Sequence, residues 1–425
     1  MIIIKLSAYN HTNNIMISRR KLIKRLASLP ILGGLAGSST LLADTLPSTT
    51  AAVAKRDLIK ELGLRTFINA AGNYTSMTAS LMPPEVMETI NLASKKYVML
   101  NDVQDKVGEK IAGLCHAEGA MVTAGCWSAL VLGMAGVLTG KDSKKAGQLP
   151  FLEGTGMKTE VILQKSHANG YHHALTNTGV KLIMIETKEE LEAAISEKTA
   201  MMWFLNREAP VGQIKHEEWI AIAKKHGIPT MNDIAADVPP VENLWRFNDM
   251  GFDLVAISGG KAMAGPQSAG ILMGKKHLIE AARLSAPPRG GNIGRGQKVN
   301  KEEILGMYMA LETFINRDHD KIWQTWEDRV ALIDDAIADI PGITTEVVIP
   351  EVANHNPSLK ISWEGSQHGF SAKDVGGDLR EGNPSIETID WEEPKSLRLT
   401  VFMLEKGQDK IVAKKLKESL AKRTA

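Results

Sequence analysis

Between residues 120 and 274 short apolar runs alternate with amphipathic stretches, and this restricts the fold more than any other feature of the 425-residue chain. Ala120–Ala124, Thr159–Leu163, Val180–Ile185, Thr199–Leu205, Ile228–Met231 and Asp253–Ile257 are apolar or β-branched and closed by polar turns, as buried strands are. Between them lie stretches of helical length and pattern, Ala129–Leu138, Glu189–Ser196 and His216–His226, the last ended by Gly227. Ala269–Met273 adds a further strand. Strands alternating with helices build an α/β domain around a mostly parallel sheet, whose strands are buried on both faces. In such a sheet ligands bind just beyond the carboxyl ends of the strands.

Two of these strand ends carry complementary groups. One ends at Asp233; the other ends at Ser258-Gly259-Gly260-Lys261, where two glycines let the backbone bend tightly before a lysine. Pyridoxal phosphate requires such a pair: an amine that forms a Schiff base with its aldehyde, and an acid that keeps its ring nitrogen protonated. Either residue alone is ordinary in a surface loop. Together, in this order and spacing, Asp233 and Lys261 resemble the fold-type I pyridoxal-phosphate enzymes. Within them the stretch is similar to the family that includes bacterial selenocysteine synthase and D-glucosaminate-6-phosphate ammonia-lyase. The resemblance covers residues 60–420.

That resemblance implies a fold-type I PLP-dependent transferase architecture. A segment at 55–84 packs at the active-site mouth, a large PLP-binding domain with a mostly parallel sheet covers 85–325, and a small C-terminal α+β domain covers 326–425. A long helix is expected to start at Glu302–Phe314 and continue through Lys321–Ile340 as the bridge between the domains. Thr344–Ile349, Ser358–Trp363, Ser385–Asp390 and Ser396–Phe402 read as strands of the small domain, and Phe370–Arg380 and Asp409–Ala421 as its helices.

The site residues follow by position. Gly125-Cys126-Trp127 stands between a strand and an apolar helix, where free backbone N–H groups and the helix dipole suit a phosphate. The family uses this loop for the cofactor phosphate. His167, just past a strand, is the ring expected to stack on the cofactor, with His172 and His173 as competitors or as substrate contacts. Ser258 is placed to bond the phosphate or orient the lysine. Asn73 and Tyr74 are candidate substrate contacts, and Asn206-Arg207-Glu208 enters the crevice. The glycine-rich loop 287–298 offers Arg289, Arg295 and Lys298 to a substrate phosphate or carboxylate, within the chain or across a subunit boundary. Arg398 resembles the strand arginine that holds the substrate carboxylate in several relatives, with Arg380 as its competitor.

Ser18-Arg19-Arg20-Lys21-Leu22-Ile23-Lys24 resembles a twin-arginine export motif, and the apolar, small-residue stretch after it completes a signal over residues 1–54. Met16 stands as an alternative start, and Ala43 and Ala54 as alternative cleavage sites. The expectation is export by the twin-arginine machinery, which carries folded proteins, to the periplasm of a Gram-negative bacterium. A formal charge of +1 gives no case for nucleic acid. Cys115 and Cys126, the two cysteines, make no disulfide framework, and no zinc-like cluster is present.

The expected activity is that of a PLP-dependent lyase acting on an amino acid or amino-sugar acid by α,β-elimination through an external aldimine. Lys261 serves as the base, and Lys261 or a histidine of the 167–173 cluster protonates the departing oxygen. A racemase, a transaminase or a β-substitution enzyme would need the same lysine and acid. The alternative outside catalysis is an exported binding protein on a retired PLP fold. Active sites of this fold draw groups from two subunits, so a homodimer or higher homo-oligomer is expected.

Overall fold

The computed structural model describes residues 56–363 and 368–424; the expected signal and linker at 1–54 lies outside the described residues. In chain order the strands are β1 (Ile68–Asn69), β2 (Gly119–Thr123), β3 (Glu160–Gln164), β4 (Lys181–Ile185), β5 (Thr199–Leu205), β6 (Thr230–Asp233), β7 (Leu254–Ser258) and β8 (Gly270–Gly274). Then come β9 (Thr344–Val348), β10 (Ser358–Ser362), β11 (Ile386–Glu387), β12 (Ile389–Glu393) and β13 (Ser396–Thr400). The main sheet runs β2-β8-β7-β6-β5-β3-β4. All neighbours in it pair in parallel except β8, which is antiparallel to both β2 and β7.

The main helices are α1 (Pro84–Ser94), α2 (Leu100–Leu114), α3 (Gly125–Thr139), α4 (Lys188–Ala194), α5 (His216–His226) and α6 (Asn243–Met250), followed by α7 (Lys276–Leu284), α8 (Lys301–Ile315), α9 (His319–Ile337), α10 (Ala372–Glu381) and α11 (Gln408–Thr424). Strand β5, TAMMWFL, is buried at every position. Its alternate side chains enter the two apolar clusters of this domain: Met202 and Phe204 the first, Met201 and Trp203 the second. Helix α3 is nearly all apolar and lies buried in the second cluster. It comes so close to α7 that a Cβ on Gly136 would stand 2.7 Å from the Ala282 nitrogen.

The C-terminal part is a second, antiparallel sheet, β12-β13-β10-β9, with its own core of Leu359, Ile361, Leu397 and Leu399 packed with residues of α9, α10 and α11. Two sequence expectations are corrected here. The bridge is not one helix: α8 ends at Ile315, and Asp318 restarts the chain as the N-cap of α9, accepting from the Lys321 amide at 3.0 Å. The segment 55–84 is not one piece either. Residues 56–64 fall in a separate unit, in which Asp57 caps a helical turn at Leu58–Glu61. Beyond it β1 pairs in parallel with β11, which ties the chain around residue 68 to the small domain before it crosses to the site.

Candidate active site

Strands β6 and β7 are parallel neighbours, with Asp233 paired to Ala256 in register, so their carboxyl ends open on the same side. Asp233 is the last residue of β6 and only 2% exposed. Its Oδ1 accepts from the Ala235 amide at 3.0 Å and from the Cys126 thiol at 3.5 Å. Burial pushes the Asp233 carboxyl up from its ordinary range, while the Ala235 N–H and the Lys261 ammonium act against that shift. A buried acid in this state calls for a cationic partner at its open side.

Lys261 follows β7 through Gly259 and Gly260. The glycines are required by close approach: a Cβ on Gly260 would stand 2.5 Å from Gln267 Cα. The Gly260 carbonyl accepts from both the amide and the hydroxyl of Ser80, and the Gly265 amide closes the loop onto the Gly259 carbonyl at 2.9 Å. This rigid turn delivers Lys261 to a chamber of about 150 Å³ that Asp233 also lines. Among the described residues the Lys261 amine makes no hydrogen bond or ion pair.

The first turn of α3 begins at Gly125, whose φ of +79° suits glycine, and its N-cap residue, Ala124, offers no side-chain acceptor. Its leading N–H groups therefore remain without an intrahelical partner, as an anion site needs. Cys126 participates through its side chain as well, since burial, with Asp233 next in weight, raises its thiol well above the usual range and keeps it a neutral donor. Trp127 is 40% exposed at the same turn, and Ser258 closes β7 half-buried.

Several expected contacts are brought to this chamber and several are not. Asn73 and Tyr74 line it, and Asn73 donates to the side chain of Asn354 at 3.2 Å. Arg207 lines it too, just past β5. His167 does not, which corrects its assignment as the stacking ring. The turn after β3 folds the imidazole inward, fully buried, where Nδ1 accepts from the Leu205 amide at 3.2 Å and the ring meets Phe204 edge-on. Burial pushes its pKa down to about 4, so it is a neutral group that closes the Leu205 backbone. His172 and His173 pack ring to ring at 4.7 Å outside the chamber, and burial also lowers His172. Asn169 and Tyr171, from the same turn, face the chamber instead.

Arg289, Arg295 and Lys298 do not reach Lys261 within the chain. Their loop is fastened back on α7, with Arg289 donating to the Arg283 carbonyl at 2.7 Å and Asn292 to that of Leu284 at 3.1 Å. Arg398 lines a hollow of about 410 Å³ that shares Asn73, Tyr74, Arg207 and Asn354 with the chamber. It pairs with Glu392 through one terminal nitrogen, while its Nε and the hydroxyl of Thr400, both buried, have no partner among the described residues. Arg380 is committed elsewhere, to Glu387 and Asp390 at 3.0 Å each. A larger, more apolar chamber of about 670 Å³ meets Lys261 from another side, between Phe314, Trp323 and Phe402.

Sequence reasoning missed Asp237 and Asn354. Asp237 stands four residues past Asp233, and the strand-end rule could have flagged it. Asn354 arrives from the small domain on a loop that has no sequence signature, carried by Ala353 and Asn354 in the left-handed region at φ +56° and +48°.

The aminotransferase class-V profile matches residues 183–359. D-glucosaminate-6-phosphate ammonia lyase of Salmonella typhimurium is 26% identical over 378 residues, 85% of this chain and 97% of that protein. L-seryl-tRNA(Sec) selenium transferase of Aquifex aeolicus is 26% identical over 324 residues, 67% and 68% of the two chains. The solved structure of D-glucosaminate-6-phosphate ammonia-lyase superposes with a TM-score of 0.74 at 23% identity, covering 87% of this chain and all of that one. The chain thus has the α/β fold of the fold-type I pyridoxal-phosphate enzymes, with a large mixed sheet and a small C-terminal domain.

Proposed function

We propose that the protein is a pyridoxal-phosphate-dependent lyase that removes a β-hydroxyl, and then ammonia, from an amino acid or amino-sugar acid. The observation that carries this reading is the meeting of Asp233 and Lys261 in one chamber at the ends of β6 and β7. Its breadth is supported by the likeness to D-glucosaminate-6-phosphate ammonia lyase over 85% of the chain.

The residues present fit the cofactor. Lys261 supplies an amine with no partner among the described residues for the aldehyde, Asp233 a buried acid for the ring nitrogen, and the first turn of α3 its leading N–H groups, which have no intrahelical partner, for the phosphate. When bound, pyridoxal phosphate supplies an electron sink for charge that develops at the substrate α carbon. Lys261 would hold the aldehyde of the cofactor and, as a free amine beside the substrate, would take the α-proton on Nζ. Asp233 would sit against the cofactor's ring nitrogen as the acid that keeps it protonated. Cys126 fixes the orientation of the Asp233 carboxyl through the thiol hydrogen bond.

For the substrate carboxylate the hollow beside the chamber offers Arg398 and Thr400. An unpaired buried Nε and hydroxyl cost free energy unless a ligand satisfies them, which favours an anionic oxygen there. Arg207, shared by both spaces, extends the same positive lining. Export by the twin-arginine route, from the motif at residues 18–24, and a homodimeric state, from the two-subunit habit of this fold, complete the reading.

The test is the absorbance of the purified protein in the near-ultraviolet and visible range, alone and with D- and L-amino acids and phosphorylated amino-sugar acids. A cofactor band that shifts with one of these substrates, followed by release of ammonia, supports the lyase. Binding of cofactor with no shift by any amine refutes it.

A further inference from the structure

The chamber holds a second carboxyl that neither the cofactor nor the lysine accounts for. Asp237, on the loop after β6, is 2% exposed and lines the chamber with Lys261. Its Oδ1 accepts from Asn206 Nδ2 at 2.8 Å. The Oδ1 of Asn206 in turn accepts from His216 Nε2 at 2.7 Å. With Asn206 Nδ2 donating to Asp237 Oδ1, the amide oxygen faces His216 and calls for a proton on Nε2, while the other Asp237 oxygen stays free to carry a proton. Burial holds His216 down to about 4, so it is a neutral ring, packed among Phe204, Phe247 and Phe252. The small domain closes the other side: the Ala353 amide faces the Asp237 carboxyl and the Asn354 amide bonds the Ala236 carbonyl at 2.7 Å.

We propose that Asp237 is the acid that delivers a proton to the departing β-oxygen, paired across the chamber with Lys261 as the base. This rests on the lyase reading above. The Cα–H bond breaks with its proton going to Lys261 Nζ, and its electron pair becomes the new Cα–Cβ π bond as the Cβ–O bond breaks. The oxygen keeps its bonding pair, takes the Asp237 proton and leaves as water, so Asp237 becomes a carboxylate that solvent reprotonates. The enamine takes up a proton at its β carbon and is hydrolysed by one water to a keto acid and ammonia.

Asp237 is suited to this task because its proton is held near neutrality. Burial raises the carboxyl to about 6, Asn206 and the ammonium of Lys261 oppose the rise, and the Asp233 charge adds to it. The other titratable or charged groups lining the chamber are Tyr74, Tyr171 and Arg207. Asp233 is engaged by the Ala235 amide and the Cys126 thiol, which leaves Asp237 as the second acid of the chamber.

The experiment compares wild type with Asp237→Asn as full-length holoenzyme. Infrared difference spectra across neutral pH should show a protonated-carboxyl band in wild type that Asp237→Asn lacks. On serine of either hand the variant should lose about 100-fold or more in elimination. On β-chloroalanine, whose chloride leaves without a proton, it should stay within about 3-fold of wild type, a split that a purely structural role does not produce. Equal loss on both substrates, no loss on serine, or the absence of the titrating band overturns the assignment. If Asp237→Asn does not fold, Asn206→Ala replaces it: losing the amide donor should move the carboxyl midpoint to higher pH, and an unmoved midpoint overturns the assignment. Exchange of the α-proton with heavy water by wild type reports on Lys261 separately. Its failure with every amino acid refutes the lyase, and the infrared band still decides whether Asp237 holds a proton.

Discussion

Replacing Gly270 by alanine should weaken cofactor binding although residue 270 lies on a strand. Gly270 opens β8, and a Cβ there would stand 2.5 Å from the Gly125 carbonyl carbon and 2.7 Å from the Cys126 nitrogen. Both are backbone atoms of the turn that leads α3, so no flexible side chain can yield. Relieving the contact to an ordinary carbon distance of about 3.5 Å displaces the turn by about 1 Å. Overpacking of this kind costs about 1–3 kcal/mol of stability. The same shift would misaim the N–H groups proposed to hold the cofactor phosphate, and hydrogen bonds to a charged group are worth about 1.5–3 kcal/mol. At 1.4 kcal/mol per factor of ten, cofactor affinity should fall by about 10- to 100-fold. The assay is a titration of cofactor-free protein by absorbance, with a melt of the same protein to separate stability from binding. Gly113→Ala is the control, since a Cβ at that exposed helical position meets nothing within 4 Å. It should leave affinity unchanged and raise stability by about 0.5–1 kcal/mol. Wild-type affinity in Gly270→Ala would refute the placement of the phosphate at this turn.

Further outcomes follow from individual groups. Burial raises Cys126 well above its usual range and pushes Cys115 up to about 12, so both thiols should resist a thiol reagent in the native protein and react on unfolding. Burial lowers His167 and His216 to about 4, below the unfolded value of about 6.5, so their contribution is present above pH 6.5 and is lost as pH falls towards 4. Melts over that interval should therefore show declining stability, and His216→Gln should flatten the decline. In the small domain Arg423 forks onto Asp378 at 2.7 and 2.8 Å and lowers its carboxyl, which ties α11 to α10. Arg423→Ala should cost about 0.5–1 kcal/mol at neutral pH, and nothing once the pH has fallen through the lowered Asp378 value.

The sequence was most legible where local chemistry and tertiary packing agree. Strand β5 and helix α5 occupy the residues expected of them, Thr199–Leu205 and His216–His226, because a wholly apolar run and an amphipathic one ended by Gly227 leave little choice. Asp233 and Lys261 were legible because strand ends in a parallel sheet converge. His167 was misread for a physical reason: past β3 the chain makes a tight turn, and the direction in which it throws the ring depends on the Leu205 amide of another strand. Arg289 misleads in the same way, since a glycine-rich basic loop looks free until Arg283 and Leu284 are seen to hold it. The loop that brings Asn354 to the chamber depends on packing between parts of the chain distant in sequence, which no local pattern records.

Whether Lys261 is the amine that would carry the cofactor can be read directly from a covalent label. Borohydride treatment of the yellow holoenzyme fixes pyridoxal phosphate covalently to the amine that carries it, and mass spectrometry of the digested protein then locates it. The reduced adduct is expected on the peptide containing Lys261, with none in Lys261→Ala. An adduct on another lysine, or no adduct in protein saturated with the cofactor, would contradict it.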